Sequence, residues 1–539
     1  MRKWGPLVIL AAAQFVMVLD QAVMNVSISQ LVDDFDTTVT TVQGVITLYS
    51  LTMAMLMLTG GKIGDILGRR RAFAIGLVVY GCGSALTAAS QSVPMLALGW
   101  SVLEGVGAAL VLPALAALIA GNYRDRERST AYAVIGGVAG AGIAVGPILG
   151  GWATTELTWR VVFVGEVVLV VGILAGLRLL TDAPGPARPP RLDVLGAVLS
   201  AAGLGLMVFG VLQASTWGWL TPKDSPFTVF GFAATPFVVG AGAVVLWLFV
   251  RWQRRRERIG TDPLVHLSLF GVTPLRAGLQ AMVSQNLILM GVFFTIPLYL
   301  QLVLGFDALE TGIRMLPVSV AMFLASVAGS RLALRVPVRA IVRVGLVVIL
   351  VSIVLLLWTI QPSLRGAGFA IAMALLGLGM GFIASQVGNV VQSSVDASGR
   401  SEAGGLQYTA QQLGSAVGVA LIGALVLSGL TATFADKVRA DPRIDEQVQE
   451  GASTAVQGGI DFVATDVIEQ AAVDAGLPPN QVEALTENYG DAQIVSLKVG
   501  LLASGAVAVG ALLATGGLPS RRPDEGAEEP GAPTSAAPS

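Results

Sequence analysis

The sequence predicts an all-α integral membrane protein with fourteen transmembrane helices. Hydrophobic residues make up 54% of the 539 residues and charged residues only 13%, and the mean hydropathy is +0.74. A soluble globular domain carries about twice that charged fraction. The second observation is a series of fourteen apolar stretches, each close to the length of about twenty residues that a membrane-spanning helix needs. The third is the distribution of Lys and Arg between these stretches, which predicts a consistent orientation.

The apolar stretches fall into groups of six, two and six along the chain. The first six lie near residues 7–31, 42–60, 73–90, 94–121, 131–152 and 160–181, two follow near 194–213 and 227–251, and the last six lie near 275–303, 309–330, 340–360, 367–391, 404–430 and 491–515. We therefore expect an N-terminal six-helix bundle over residues 1–181 and a C-terminal six-helix bundle over residues 275–515. Residues 182–274 would hold a Pro-rich linker, two additional helices and a basic connector.

The positive residues predict that both chain termini are cytoplasmic. With that orientation, 25 of the 33 Lys and Arg residues fall on the cytoplasmic side and 8 on the other side. Cytoplasmic loops of membrane proteins carry such an excess of Lys and Arg. The first apolar run contains Asp20 and has no convincing cleavage site, so we interpret it as a membrane helix and not as a secretory signal.

Three connecting segments have a distinct composition. Residues 431–490 form a long, acidic, extracytoplasmic loop, for which we expect either a solvated insertion or short helices near 462–472 and 481–489. Residues 262–270 predict either a short amphipathic piece at the inner membrane surface or a simple chain reversal. Residues 516–539 are rich in Pro, Ala, Gly and Glu, which predicts a disordered cytoplasmic tail.

Composition and motifs exclude several function classes. The net charge is −2 and no basic domain is present, so we expect no nucleic-acid partner. The only cysteine, Cys82, excludes a multi-cysteine metal site, and the only histidine, His266, falls in a polar connector. No nucleotide-binding Gly-Lys-Ser/Thr loop and no catalytic triad is found, so neither an enzyme nor an ATP-driven pump is indicated. We expect no metal and no cofactor.

Three carboxylates within the apolar stretches are candidate functional residues. A carboxylate near the middle of a membrane costs about 3 kcal/mol, so such a residue usually faces a cavity and has a function. Asp20 lies in the first stretch, Glu104 in the fourth and Glu166 in the sixth. The alternative for Glu104 is a structural hydrogen bond to a neighbouring helix. For Glu166, an ion pair with Arg160 at the membrane interface is an equally plausible alternative.

The fifth stretch carries a glycine-rich face. Gly142, Gly146 and Gly150 recur every four residues and so share one side of a helix, and Pro147 adds a kink. This spacing predicts close packing against another helix.

A cationic, glycine-punctuated connection follows the second stretch. It contains Gly61, Asp65, Gly68, Arg69 and Arg70. The glycines permit a tight turn between antiparallel helices, and Asp65 can bond to helix-end amides or to Arg69 four residues later. Any cytoplasmic turn can carry basic residues, but this combination is more specific.

These motifs resemble those of the major facilitator superfamily, in particular its fourteen-helix drug/proton antiporters. The connection after the second stretch resembles the superfamily loop between helices 2 and 3. Asp20 followed by Asn25 resembles the first-helix motif of the fourteen-helix branch, and Gly146-Pro147 resembles the helix 5 motif that distinguishes antiporters. Residues 301–317 resemble the junction between helices 9 and 10; within them we expect an ion pair between Glu310 and Arg314.

The resemblance implies a two-bundle transporter fold with a central site, but one motif departs from the family. Ser101 stands where the superfamily usually has a proton-coupling Arg, and Glu104 stands where it usually has Gln. That Arg role therefore cannot be transferred, and a second buried carboxylate appears on what we expect to be the same helical face as Ser101. Asp20, Glu104, Glu166, Asn25 and Ser101 are the predicted proton and substrate residues.

The function implied by the resemblance is proton-coupled export of lipophilic, often cationic, small molecules across the cell membrane by alternating access. The connection that contains Gly61 would act as a cytoplasmic gating loop. The partners would be the substrate, protons and the lipid bilayer, and we expect the chain to act as a monomer. One alternative is a dedicated exporter of a single endogenous molecule, such as a lipid, a siderophore or a self-made antibiotic. Another is a membrane receptor or scaffold that transports nothing.

Overall fold

The fold is helical throughout the part of the chain that the structure describes. The computed structural model describes residues 4–123, 125–182, 191–333, 335–364, 366–395, 400–449, 451 and 462–520. Within these ranges thirteen helices are long and apolar enough to span a membrane. The predicted fifth span is helical too, over Asp125–Glu156. The prediction of an all-α membrane protein is confirmed.

The long helices are numbered α1 to α14 in chain order. They are α1 (Gly5–Val26), α2 (Val39–Leu67), α3 (Arg69–Ala88), α4 (Val93–Leu96 and Gly105–Asn122 joined by a π-helical segment, Ala97–Glu104), α5 (Asp125–Glu156), α6 (Arg160–Gly176), α7 (Val194–Leu212), α8 (Ala234–Arg258), α9 (Thr273–Leu298, continued by a π-helical segment, Tyr299–Val303), α10 (Ala308–Leu332), α11 (Val338–Thr359), α12 (Gly366–Ser393), α13 (Arg400–Ala440) and α14 (Pro479–Ala514).

Two helix pairs make the most extensive contacts between the first six helices and the last six. One pair is α2 with α13, and the other is α5 with α10. In the first pair, the Gln43 side-chain amide donates a 2.8 Å hydrogen bond to the backbone oxygen of Val419. In the second pair, Gly312 packs against the backbone of Pro147 and Gly151 against that of Ala308. Close backbone approach of this kind requires residues without a side chain.

Of the two additional helices, α7 packs across the first of these pairs and α8 packs against α7. Helix α7 contacts both α2 and α13. A small apolar cluster of Leu51, Val208, Ala416 and Ala420 lies at this three-helix contact. Helix α7 therefore touches both the N-terminal and the C-terminal parts of the bundle.

A buried carboxylate fastens α7 to α8. Asp193 is 2% exposed and caps α7 by accepting a hydrogen bond from the Gly196 amide at 3.0 Å. It also accepts hydrogen bonds from Trp252 at 3.0 Å and Gln253 at 2.8 Å, and Arg256 lies 3.5 Å away. A buried charge is tolerated where hydrogen bonds and an opposite charge compensate it, as here.

The predicted connection after the second span is shorter than expected. Helix α2 continues through Gly61 and Asp65, and α3 begins at Arg69. The single non-helical residue between them is Gly68, whose φ of +92° is a conformation that glycine adopts readily. The antiparallel turn thus needs one residue, and the rest of the predicted loop is helical.

The long acidic loop is largely helical within its described residues. Helix α13 extends to Ala440, a separate helix covers Thr465–Asp474, and α14 already begins at Pro479. The expected helix near 462–472 is confirmed, whereas the one near 481–489 is the first part of α14. Helix α13 has 41 residues and is therefore about 60 Å long, twice the thickness of the hydrocarbon core.

Two other connecting segments are short or packed. The connector at 262–270, for which a short amphipathic piece or a chain reversal was expected, leads into a five-residue 3₁₀-helix, Leu267–Gly271. The start of the predicted disordered tail is packed: Leu518 is 1% exposed, and its backbone oxygen accepts a 2.9 Å hydrogen bond from Arg339. Most of the linker, residues 183–190, and the tail at 521–539 lie outside the described residues.

Candidate functional site

Three carboxylates from three helices meet inside the N-terminal part of the bundle. Asp20 on α1, Glu104 on α4 and Glu166 on α6 each have 1% or less of their surface exposed. One carboxylate oxygen from each lies within 4.8 Å of the others. We call Asp20, Glu104 and Glu166 the carboxylate triad. The three residues are far apart in the sequence, and the sequence analysis had named each of them separately.

Each member of the triad is held by a donor on one oxygen. The indole N–H of Trp100 donates to Asp20 at 2.7 Å, and the hydroxyl of Thr87 donates to Glu104 at 3.2 Å. The hydroxyls of Tyr80 and Ser84 both donate to one oxygen of Glu166, at 3.2 and 3.1 Å. Within the described residues, the other oxygen of each carboxylate has no hydrogen-bond partner.

No cation compensates the triad within the described part of the chain: no Lys, Arg or His nitrogen lies within 4.0 Å of its oxygens. Three carboxylates this close repel each other when they are all ionised. Oxygen ligands at this spacing also suit a hard cation. The triad can therefore take up either protons or a cation.

Glycines allow the helices to approach closely enough to form the triad. A Cβ atom at Gly83 of α3 would lie 2.6 Å from Cγ of Glu104, and one at Gly99 of α4 would lie 2.8 Å from the backbone nitrogen of Thr87. Neither position has room for a larger residue. This contact between α3 and α4 places Glu104 beside the hydroxyl of Thr87.

The π-helical segment of α4 directs its polar residues to different neighbours. Ser101 donates a 2.7 Å hydrogen bond to the Val45 backbone oxygen on α2, whereas Glu104 faces Thr87 on α3. The expectation that Ser101 and Glu104 share a face is therefore wrong. A π-helical segment has wider turns than an α-helix and often occurs at functional sites, and it changes the angular spacing of side chains three residues apart.

Asn25 is buried but does not join the triad. Its side-chain amide donates a 2.7 Å hydrogen bond to the backbone oxygen of Gln21 on the same helix. Its side-chain oxygen has no partner among the described residues. Of the five predicted proton and substrate residues, the structure thus brings three together, and it places Asn25 and Ser101 elsewhere.

The two alternatives for Glu166 are resolved by the position of Arg160. Arg160 forms a 2.7 Å ion pair with Asp34, while Glu166 bonds to hydroxyls of α3. The proposed Glu166 to Arg160 pair is therefore wrong.

Asp34, the actual partner of Arg160, has a lowered pKa. Partial burial alone would raise the pKa of Asp34, but the hydrogen bonds from Gln30, Trp159 and Arg160 outweigh it.

The glycine face of α5 packs directly behind Asp20. A Cβ atom at Gly142 would lie 3.0 Å from Val18, one at Gly146 would overlap Ala22, and one at Gly150 would lie 2.9 Å from Val23. These partners belong to the same stretch of α1 as Asp20, and Pro147 lies on the side of α5 that meets α10. The predicted close packing is confirmed.

Hydrogen bonds connect the two parts of the bundle at the end where α1 and α5 finish and α10 begins. Gln301 accepts a 2.6 Å hydrogen bond from the Ser29 hydroxyl and donates a 2.8 Å bond to the Val26 backbone oxygen. The Leu309 amide donates to the hydroxyl of Thr155 at 3.2 Å. We call this set of contacts, together with Gly312 against Pro147, the seam. The seam joins the two parts of the bundle at the end predicted to be extracytoplasmic.

The predicted gating residues lie at the opposite end of the bundle. Asp65 and Arg69 form a partly exposed ion pair at 3.3 Å. Asp182, which follows α6, accepts a 3.3 Å hydrogen bond from the amide of Arg70 and sits 2.9 Å from where a Cβ of Gly68 would be. Asp182 thus caps α3, a role that its position in a Pro-rich segment did not reveal.

Sequence reasoning also missed the donors around the triad. Tyr80, Ser84 and Thr87 follow each other at spacings of four and three residues on α3, so they share one face. A polar stripe at this spacing in an apolar helix could have identified them. Trp100 gave no such signal, because an apolar helix commonly contains aromatic residues.

A family comparison identifies the fold. The family model described as "Major Facilitator Superfamily" matches residues 10–419 of the chain. The chain belongs to the major facilitator superfamily. Its membership and its many apolar helices make it a multi-pass protein of the cell membrane, and they indicate a transporter and not an enzyme.

Relatives within the superfamily match nearly the full length of the chain. The "Tetracenomycin C resistance and export protein" of Streptomyces glaucescens is 30% identical, covering 98% of this chain and 94% of the relative. The "Multidrug efflux pump LfrA" of Mycolicibacterium smegmatis is also 30% identical, covering 90% of this chain and 94% of the relative. The resemblance to drug exporters of this superfamily is thus confirmed.

A solved structure agrees on the fold. A bacterial homologue of the human lysosomal transporter Spinster, in an inward-facing and unoccupied conformation, superposes with a TM-score of 0.57 at 14% identity. The match covers 96% of this chain and 98% of that chain. At this identity the likeness concerns the fold alone.

Proposed function

We propose that this protein exports lipophilic, often cationic, small molecules in exchange for protons, and that the carboxylate triad carries the protons. The observation that carries the proposal is the triad: three buried carboxylates within 4.8 Å and no compensating cation in the described chain. The names of the relatives, which include an antibiotic exporter and a multidrug efflux pump, support the substrate class.

Electrostatics explains why such a cluster exchanges charge. Two unit charges 4.8 Å apart repel by about 3.5 kcal/mol at an effective dielectric constant of about 20. A fully ionised triad contains three such pairs of charges, so uptake of one proton removes the repulsion in two of the three pairs. The free oxygen on Asp20, Glu104 and Glu166 gives each proton a place to bind without breaking an existing hydrogen bond.

The helices around the triad suggest how proton uptake is transmitted. Asp20 lies on the stretch of α1 that packs against the glycine face of α5, and α5 contacts α10 across the seam. We propose that residues 1–181 and 275–515 act as two bundles that rock against each other, with the seam closed in one state. The segment that contains Gly61, Asp65, Gly68, Arg69 and Arg70 would act as the gate at the opposite end and stabilise its closure in the other state.

Reconstituted vesicles test this proposal. The purified protein is placed in vesicles with a pH-sensitive dye, and proton movement is recorded when ethidium, a lipophilic cation, is added. We expect substrate-evoked proton flux in the wild type. Asp20→Asn, Glu104→Gln and Glu166→Gln preserve shape while removing the charge, and each should reduce that flux by about tenfold or more, the scale of a lost charged interaction.

The matched control is Glu310→Gln, which removes an exposed carboxylate outside the triad and should leave the flux unchanged. Repeating the assay with Na⁺ or Mg²⁺ gradients separates proton coupling from cation coupling. If flux follows one of those gradients and not the pH gradient, the triad binds a metal cation and the proposal is wrong. Full activity in all three triad variants would also contradict it.

A second candidate is dedicated export of one endogenous molecule. The name of the Streptomyces relative, which refers to resistance to and export of a single antibiotic, favours it. The two candidates differ in substrate range. Resistance of an expressing strain to several unrelated lipophilic cations would support broad export, and protection against one compound class would support dedicated export.

A further inference from the structure

A groove outside the carboxylate triad opens between the first turns of α10 and α12. It has a volume of about 580 Å³, within the range of about 300–1,000 Å³ typical of small-molecule sites. Its walls are mostly apolar: Ile313 and Pro317 come from α10, Leu364 from the loop before α12, and Phe369 from the first turn of α12. Ile313 is 53% exposed, so the groove lies on the outer surface of the bundle.

Among the described residues that line this groove, the charged one is Arg314. Its guanidinium carbon lies 3.6 Å from the centre of the Phe306 ring, and one N–H donates a 3.4 Å hydrogen bond to the Glu310 backbone oxygen. The expected ion pair with the Glu310 carboxylate is not formed, and no other described carboxylate lies within 4.0 Å. A guanidinium has five N–H donors in a planar fork that matches phosphate oxygens. Within the described part of the chain, one hydrogen bond is formed by this guanidinium.

A second source of positive potential faces the same groove. Helix α12 begins at Gly366, which lines the groove, and runs for 28 residues. The first amides of a helix have no acceptor within the helix, and its N-terminal end carries a partial positive charge. A Cβ atom at Gly366 would meet nothing within 4 Å, so a ligand can come close to this backbone.

Two aromatic residues near the groove indicate its depth in the bilayer. Tyr299 donates a 2.7 Å hydrogen bond to the backbone oxygen of Gln361, which joins the loop before α12 to the seam end of the bundle. Trp358, in the last turn of α11 before that loop, is 54% exposed. Exposed Trp residues are enriched where the hydrocarbon meets the headgroups of a membrane. The groove therefore lies at headgroup level, with its apolar wall extending toward the hydrocarbon.

From these features we infer that the groove binds a phospholipid of the surrounding leaflet, with the headgroup phosphate between Arg314 and the start of α12 and an acyl chain along Ile313, Pro317 and Phe369. An uncompensated guanidinium beside an apolar wall complements a molecule that has both a phosphate and a hydrocarbon chain. A soluble anion would gain nothing from the apolar wall, and an uncharged hydrocarbon would gain nothing from the guanidinium. This site is separate from the triad, so it goes beyond the proposed transport function.

Native mass spectrometry of the delipidated, detergent-solubilised protein tests the inference. Phosphatidylglycerol is the probe, and diacylglycerol with the same chains and soluble glycerol phosphate are the two partial probes. We expect phosphatidylglycerol to bind at least about tenfold more tightly than diacylglycerol, and glycerol phosphate not to displace it. Arg314→Gln should weaken phosphatidylglycerol binding by about tenfold, the scale of a lost charge-assisted interaction.

Two further variants keep the test decisive. Gly366→Leu adds a side chain where a Cβ meets nothing, so it should fill the groove without disturbing the fold and should weaken binding to a similar extent. Arg331→Gln removes an exposed charge at the other end of α10 and should have no effect. The inference is overturned if Arg314→Gln and Gly366→Leu bind phosphatidylglycerol as tightly as the wild type does. It is also overturned if Arg331→Gln weakens phosphatidylglycerol binding as much as Arg314→Gln does, or if diacylglycerol or glycerol phosphate binds as tightly as phosphatidylglycerol.

Discussion

The substitution Gly312→Ala should weaken the seam and favour the state in which that end of the bundle is open. A Cβ atom at this position would lie 2.7 Å from the carbonyl carbon of Pro147 and even closer to its oxygen, whereas ordinary contacts begin at 3.4 Å. Helices α5 and α10 would have to separate by about 0.7 Å or more at this point. Overpacking of this kind costs about 1–3 kcal/mol, which corresponds to about a 5- to 150-fold change in the ratio of two states.

Thiol accessibility measures this change. Cys82 is the only cysteine and is exposed, so Cys82→Ala provides a background without reactive thiols. Ser29→Cys then introduces a near-isosteric thiol at the seam, where Ser29 now bonds to Gln301. Its rate of reaction with a charged, membrane-impermeant thiol reagent reports how often the seam opens. We expect Gly312→Ala to raise this rate by about thirtyfold, which corresponds to about 2 kcal/mol, the middle of the calculated range.

The matched control is Gly240→Ala in α8. It is the same chemical change within a membrane helix, but a Cβ atom there meets nothing within 4 Å. It should leave the labelling rate unchanged. Equal rates in the Gly312 and Gly240 variants would refute the reasoning, because they would show that close packing between α5 and α10 does not control the opening of the seam.

Three other perturbations address the triad, the additional helices and the acidic segment after α13. Trp100→Phe keeps an aromatic ring but removes the N–H that bonds to the Asp20 carboxylate at 2.7 Å. It should lower ethidium-evoked proton flux by about tenfold, since a hydrogen bond to a charged group contributes about 1.5–3 kcal/mol. Unchanged flux would show that this hydrogen bond does not support proton transport. Asp193→Ala leaves several buried donors without an acceptor and should cost about 3 kcal/mol in thermal unfolding, whereas the exposed Asp224→Ala should not change the unfolding temperature. Hydrogen bonds from Arg443 hold the pKa of Asp441 well below its usual range, so this pair stabilises the fold above about pH 4 and loses that contribution as the pH falls below it. The melting temperature of Arg443→Gln should therefore fall less between about pH 6 and about pH 3 than that of the wild type. An identical fall in both proteins would disprove the linkage.

The glycine pattern of α5 shows what local sequence could predict correctly. Gly142, Gly146 and Gly150 share a face in any α-helix, so their packing role followed from spacing alone, and the structure supplies the partner, α1. The turn at Gly68 shows the opposite case. Glycine content indicated a loop, but a helix continues through Gly61 because each of its amides still finds an acceptor in the preceding turn.

Side-chain partners were predicted less well than helices. The expectation that Glu310 pairs with Arg314 used a rule for isolated helices, but the Phe306 ring before α10 offers the guanidinium a closer partner. Similarly, Arg160 pairs with Asp34 across a chain separation of 126 residues and leaves Glu166 to the hydroxyls of α3. Such choices depend on which helices are adjacent, and nothing in a single stretch of sequence contains that information.

The sequence by itself determined the membrane class, the fourteen helices and the identity of three unusual carboxylates, because hydrophobic length, charge distribution and the cost of a buried charge are local properties. Only the tertiary structure decided that Asp20, Glu104 and Glu166 form one cluster, that Ser101 and Asn25 stand apart from it, and that Arg314 lines an apolar groove. Proximity between distant residues arises from helix packing, and here that packing is set by glycines such as Gly83 and Gly99, whose importance appears only when the opposite helix is in place.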